Sequence, residues 1–233
     1  MTDARINGVH HLAISTNNMK EQISFFSDVL GMRLVALYWM HGSENALHGF
    51  LELNERSTIS FVEMPENANG RSELGSSHAA YPGAPSAGGT MEHLALRVDT
   101  RDDLIALSNR IRSHGVPVFG PVEHGMCQSI YFAGPEGLNL EVATPDSAVD
   151  PEAWIDPEVV ARVGISQEEL ARFVDPLPSP PRAPVAPQPA YDPAKPHMKF
   201  PDDIYRNMLA APEAWAEQIS HPEPPVRNTP TLS

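Results

Sequence analysis

The phrase His11-Leu-Ala-Ile-Ser returns as His93-Leu-Ala-Leu-Arg 82 residues further along the chain. A repeat at that spacing constrains the fold strongly, because each copy must be a supersecondary unit that buries its apolar face against its neighbour. Both phrases open the same series. In the first, Val9 to Ser15 predicts a strand, and Ile23, Phe26 and Leu30 recur at helical spacing over Met19 to Leu30 before Gly31 ends the helix. Strand-like stretches follow at Arg33 to Met40, Leu47 to Leu53 and Thr58 to Met64. The second series runs from a strand at Met91 to Val98 into a helix at Arg101 to Ser113, with Leu104, Leu107 and Ile111 on one face and Gly115 as the stop. Strands at Pro117 to Glu123, Gln128 to Phe132 and Leu138 to Ala143 complete it. The expected class is α+β, built from two βαβββ repeats over residues 6–64 and 91–144.

The rest of the chain differs in composition. Residues 65–90 are rich in Gly, Ser, Pro and Ala and predict a long loop, a kind that is usually functional or disordered inside a compact domain. Residues 1–145 form the expected domain. Of the 24 prolines, 18 lie at or beyond Pro145, so residues 146–233 predict a Pro-rich extension with short helices. Ser166 and Glu169 have capping-box spacing ahead of Leu170 to Val174, and Asp202 to Ile219 predicts helix broken at Pro212. Pro176 to Pro201 predicts extended, polyproline-like chain. The extension's aromatic residues are too widely spaced for a core of their own, so it is expected to wrap the body or a partner subunit in a homo-oligomer. A formal charge of -14 opposes attraction to nucleic acid. With no apolar run long enough for a bilayer, no basic-then-apolar leader and one cysteine, Cys127, a cytoplasmic location is expected.

The chemistry lies in the repeated histidines. Equivalent first strands that approach about a pseudo-two-fold axis would point His11 and His93 into one cavity. On the last strand Asn139, Glu141 and Ala143 share the face opposite Leu138, Leu140 and Val142. A carboxylate inside an apolar strand is costly unless it is paired or metal-bound. Two imidazoles and one carboxylate form a 2-His-1-carboxylate set that leaves positions open for substrate and oxygen. His11, His93 and Glu141 are therefore the candidate metal ligands, and the two repeats would curve a mixed sheet around a metal cavity. His10 alternates to the other face. Glu63, at the end of the first unit's last strand and read as the repeat counterpart of Glu141, is a candidate fourth ligand. His41 and His48 flank a loop and are expected to be solvated.

The phrases HLAI and HLAL, the VLGM turn after the first helix and the ending YFAGPEGLNLEV resemble the vicinal-oxygen-chelate superfamily of glyoxalases, bleomycin-resistance proteins and extradiol dioxygenases. The resemblance covers about residues 6–145. Within it, Val122-Glu123-His124, Ile130-Tyr131, Pro135, Gly137 and Glu141 resemble the ring-cleavage signature of extradiol dioxygenases, with Gly134 departing from a position that wants Asp, Glu, Asn, Thr or Ala. The resemblance implies Fe(II) on His11, His93 and Glu141, or alternatively Mn(II), Zn(II) or Ni(II). It also implies that His124 and Tyr131 hydrogen-bond the substrate or its oxygenated intermediate. His78, fifteen residues before His93, falls where these enzymes carry an acid/base histidine. Imidazole suits that task because near neutral pH it can take a phenolic proton and later return it.

The function implied is extradiol cleavage of a catechol-like ring by dioxygen, with a small aromatic diol as substrate. One alternative is a glyoxalase-like lyase or epimerase, in which Glu63 or Glu141 moves a proton on a metal-stabilised enediolate. Another is a binding protein of the bleomycin-resistance type, which needs no ligand triad.

Overall fold

The computed structural model describes residues 6–145, 148–177 and 186–226. The chain divides into two compact units, one of residues 7–176 and the other containing Ile6 with the described residues of 177–226. The first unit holds both repeats. Repeat one runs β1 (His11–Thr16), α1 (Met19–Ser24), β2 (Arg33–Trp39), β3 (Leu47–Asn54) and β4 (Ser57–Glu63), and α1 continues as a π-helical turn over Phe25–Val29. Repeat two runs β5 (Leu94–Arg97), α2 (Arg101–Ser113), β6 (Phe119–Glu123), β7 (Cys127–Ala133) and β8 (Asn139–Pro145). Each repeat forms a four-stranded mixed sheet, ordered β1-β4-β3-β2 and β5-β8-β7-β6, with the first strand parallel to the last. The expected α+β, βαβββ architecture is the one observed.

Strand alternation gives each sheet two unlike faces. Leu12 and Ile14 on β1, Leu51 on β3, and Ile59 and Phe61 on β4 turn toward α1; Leu96, Ile130, Phe132, Leu140 and Val142 turn toward α2. Met19, Phe26, Leu104 and Ile111 from the helices complete a single core. Gly49 lets α1 approach β3 closely, since a Cβ there would lie 2.8 Å from the Met19 sulfur. Phe25 stacks on Phe132 of the other repeat at 6.5 Å, and Arg110 of α2 donates to the carbonyls of Asp28 and Val29 at 2.8 Å. The helix-bearing faces of both sheets thus share one core. The opposite faces, which carry His11 and Glu141, are the outer ones.

The π-turn is a finding beyond the expected regular helix over Met19 to Leu30, and Gly31 closes it with φ at 81°. Residues 65–90 contain a short 3₁₀ turn, Pro65–Asn69, and otherwise irregular chain. After β8 come α3 (Pro151–Trp154), α4 (Pro157–Arg162) and α5 (Gln167–Val174). Sequence reasoning found α5 by its capping box, which forms between Ser166 and Glu169, but missed α3 and α4. Their signals were present: Asp150 and Asp156 each cap a helix with proline in its first turn.

The second unit contains α6 (Asp202–Ala210) and α7 (Glu213–Gln218), separated at Pro212 as expected. Tyr191 organises it. Its hydroxyl donates to Asp202 at 3.1 Å, its ring meets Tyr205 edge-on at 5.4 Å, and the Arg206 guanidinium lies 4.6 Å above it. Of the expected polyproline stretch, residues 178–185 lie outside the described residues, and 186–190 carry no helix or strand.

A polar clasp also joins the repeats. Glu136, in the β7–β8 turn, accepts hydrogen bonds from the Thr16 hydroxyl, the Asn17 backbone N–H and the Gln22 amide. Burial pushes its carboxyl upward, but these donors outweigh burial and hold it below the usual carboxylate range. A depressed folded value contributes stability that is present above the unfolded pKa and is lost as pH falls through the folded one. Glu136→Gln should therefore lower the melting temperature at neutral pH, by the equivalent of about 1 kcal/mol for a partly exposed group. The difference from wild type should close as the pH is taken into the acid range. Thermal melts from pH 7 down to pH 3 check this, and a difference that stays constant with pH contradicts it.

Candidate metal centre

β8 enters its sheet between β5 and β7, so its outward residues face two strands at once. Ala95 pairs with Glu141 and Leu94 with Leu140, which sets His93, just before β5, on Glu141's face. Across the other ladder Tyr131 is directly opposite Glu141. His93 Nε2 lies 2.8 Å from Glu141 Oε2, and Glu141 is only 6% exposed. Metal bonds of about 2.1 Å at right angles put neighbouring ligand atoms roughly 3 Å apart, so this pair has the spacing of two ligands to one ion. The fit rests also on the donor set, a buried carboxylate beside an imidazole whose Nδ1 is buried without a partner.

Tyr131 and His124 extend this cluster. The His93 ring meets Tyr131 edge-on at 6.3 Å, and the Tyr131 hydroxyl lies 2.9 Å from His124 Nε2. Burial, then the Glu141 carboxylate, push the Tyr131 phenol above its ordinary value. The group is therefore a neutral donor at physiological pH, suited to an oxygen on which negative charge develops.

His11 lies elsewhere. It opens β1 on the outer face of the first sheet, with its Nδ1 2.9 Å from His10 Nδ1 and its ring edge-on to Phe50 at 6.0 Å. Among the described residues no group of three or more His, Cys, Asp or Glu side chains is placed to hold a metal. One chain thus brings together His93 and Glu141, and sets His11 on the other sheet.

The remaining candidates fall in distinct places. Glu63 shares a face with Ile59 and Phe61, and its Oε2 accepts the Met19 N–H at the start of α1 at 2.6 Å. Ala13 pairs with Ser60 as Ala95 pairs with Glu141, so Ser60 and not Glu63 is the register counterpart of Glu141. His78 Nε2 donates to the Gly137 carbonyl at 3.0 Å, while its Nδ1 faces Ser72 and Ser77 at 3.2 and 3.1 Å. It lines a cavity of about 510 Å³ with Thr16, Arg71 and Glu136, at the turn end of the second sheet.

Sequence reasoning underrated His48. It is buried, not solvated, packed 4.2 Å from Phe50 and 5.7 Å from Tyr38 on the outer face that carries His11. Burial, then His11, lower its pKa and favour the neutral ring. Alternation along Leu47–Asn54 was the signal, since it separates His48 and Phe50 from the core residues Gly49 and Leu51.

The profile of the Glyoxalase/Bleomycin resistance protein/Dioxygenase superfamily matches residues 8–142. The chain belongs to this superfamily. It is 27% identical over 143 residues to biphenyl-2,3-diol 1,2-dioxygenase 2 of Rhodococcus globerulus, covering 59% of this chain and 65% of that protein. A second relative, biphenyl-2,3-diol 1,2-dioxygenase 3 of the same organism, is 24% identical, with 60% and 67% covered. The chain thus spans about two thirds of the length of the curated relatives it matches. Among solved structures, a glyoxylase/bleomycin resistance protein/dioxygenase domain from a Frankia species aligns with 60% of this chain and 99% of its own, at 13% identity and a TM-score of 0.47. No helix among the described residues is long and apolar enough to cross a membrane.

As a half-buried phenol beside a carboxylate, Tyr131 should titrate above the ordinary value of about 10. The ultraviolet difference titration of wild type against Tyr131→Phe isolates its contribution. A phenolate component appearing at or below pH 10 contradicts this electrostatic account.

Proposed function

We propose that the protein is an extradiol-type dioxygenase that opens the ring of a catechol-like aromatic diol, with Fe(II) held by His93, Glu141 and His11. The observation that carries this reading is the outward cluster of His93, Glu141, Tyr131 and His124, which sets a histidine–carboxylate pair with ligand spacing beside a hydrogen-bonded phenol–imidazole pair. The similarity to two biphenyl-2,3-diol dioxygenases supports it. Lyase or epimerase chemistry is less favoured, because the position equivalent to Glu141 in the first repeat is Ser60 and Glu63 is committed to α1.

Held by His93, Glu141 and His11, the metal would supply Lewis acidity to the diol and the redox chemistry that dioxygen needs. The chain's own residues orient the ring and manage protons. Tyr131 donates from its hydroxyl to the substrate oxygen on which charge develops. His124, 2.9 Å from that hydroxyl, takes a proton through it and returns one to the ring-opened product. His78 stands apart from this pair, with its Nε2 proton on the Gly137 carbonyl, and we assign the proton transfer to His124.

His11 reaches the centre from a second copy of the chain. The outer face of one copy's first sheet, with His11, His48, Phe50 and Tyr38, covers the outer face of the other copy's second sheet. A two-fold pair of chains then closes two equivalent centres.

The test is metal content, oxygen uptake and mass in solution. Wild type should be dimeric, bind about one Fe(II) per chain and consume one dioxygen per catechol opened, with product gaining both oxygen atoms. His11→Ala and Glu141→Ala should each lose the metal, since three protein ligands leave no redundancy. Co-expressed together, they should recover about one quarter of wild-type metal, because half the dimers are mixed and each mixed dimer keeps one intact centre. No recovery overturns the shared centre. A wild-type protein that binds metal but takes up no oxygen with catechols overturns the dioxygenase assignment.

A further inference from the structure

Two orphaned polar atoms occupy neighbouring positions beside the candidate centre. Leu94 pairs with Leu140 in the parallel β5–β8 ladder, so one step back along both strands His93 stands next to Asn139. Alternation puts Asn139 on Glu141's outward face. His93 Nδ1 and Asn139 Nδ2 are both buried, and neither has a hydrogen-bond partner. An unmade bond of this kind costs about 1–3 kcal/mol for each buried group, so two in adjacent register positions call for a common explanation.

We propose that Asn139 is the positioning residue of His93, its carboxamide bonding Nδ1 in either of two orientations according to which ring nitrogen carries the proton. The inference rests on the reading that His93 and Glu141 hold a metal. In the metal-free chain His93 Nε2 faces Glu141 Oε2 at 2.8 Å, so in the neutral ring the proton that bonds the carboxylate sits on Nε2 and Nδ1 is an acceptor. Asn139 Nδ2–H is the donor that Nδ1 then needs. A ring that ligates through Nε2 has its proton on Nδ1 and needs an acceptor there. Turning the carboxamide over presents Oδ1 at the same place. Asparagine offers a donor and an acceptor of nearly the same shape, so the half-turn serves both states without moving the strand. Aspartate could serve only the second state and leucine neither.

The first measurement uses the metal-free full chain. Nitrogen-15 NMR of the histidine rings should find His93 as the Nε2–H tautomer, with Nδ1 showing the shift of a hydrogen-bonded acceptor. Asn139→Leu should remove that shift. The second measurement is titration with Co(II), followed by its absorption. Asn139→Leu should weaken binding about 10- to 100-fold, the usual cost of losing a partner to a ligating histidine, whereas Asn139→Asp should stay near wild type. Equal affinity in wild type and both variants overturns the proposal, as does an equal loss in both, which would mark Asn139 as a packing residue. Should wild type bind no Co(II), the metal reading falls, and the tautomer measurement still decides whether Asn139 bonds His93.

Discussion

The structure depends on one shared core. Each βαβββ repeat has a single helix and a sheet with one apolar face, too little to fold alone, and the two solve the problem by burying their helix-bearing faces together. Phe25 against Phe132 and Arg110 against the carbonyls ending the first helix are the contacts that join them. Once those faces meet, the outer faces must turn away, and the chemistry-bearing residues follow strand alternation outward. That is why His11 and the His93–Glu141 pair occupy different sheets although they derive from one repeated phrase.

The repeats have diverged most on those outer faces. Phe50 occupies the ladder position that Tyr131 holds in the other repeat, Ser60 that of Glu141, and His48 that of Ser129. One face therefore presents imidazoles and aromatic rings, and the other presents a carboxylate, a phenol and the imidazoles of His93 and His124. Among the described residues no group of three or more His, Cys, Asp or Glu side chains on either face is placed to hold a metal.

Glu136 and Glu63 show how the same residue type is put to structural use nearby. Glu63 ends β4 and Glu136 lies in the β7–β8 turn, and both accept backbone N–H groups near the start of the first helix, Glu136 from Asn17 and Glu63 from Met19. The helix start carries orphan donors and partial positive charge, so acidic residues there are stabilised without any metal. Glu141 instead faces the His93 ring, Oε2 to Nε2 at 2.8 Å.

Much of this was legible in the sequence because the signals are local. The repeated phrase, the period-two alternation that put His93 and Glu141 on outward faces, the glycines that stop both helices and the capping box at Ser166 are decided within a few residues by backbone geometry. The tertiary structure alone decided how the two repeats dock, and with that the separation of His11, the placement of His78 beside Gly137, and the register that makes Ser60 the counterpart of Glu141. Those outcomes depend on which helix side chains fit which sheet face and on pairings between strands far apart in the chain. Periodicity says which way a side chain points from its own strand, but not what stands opposite.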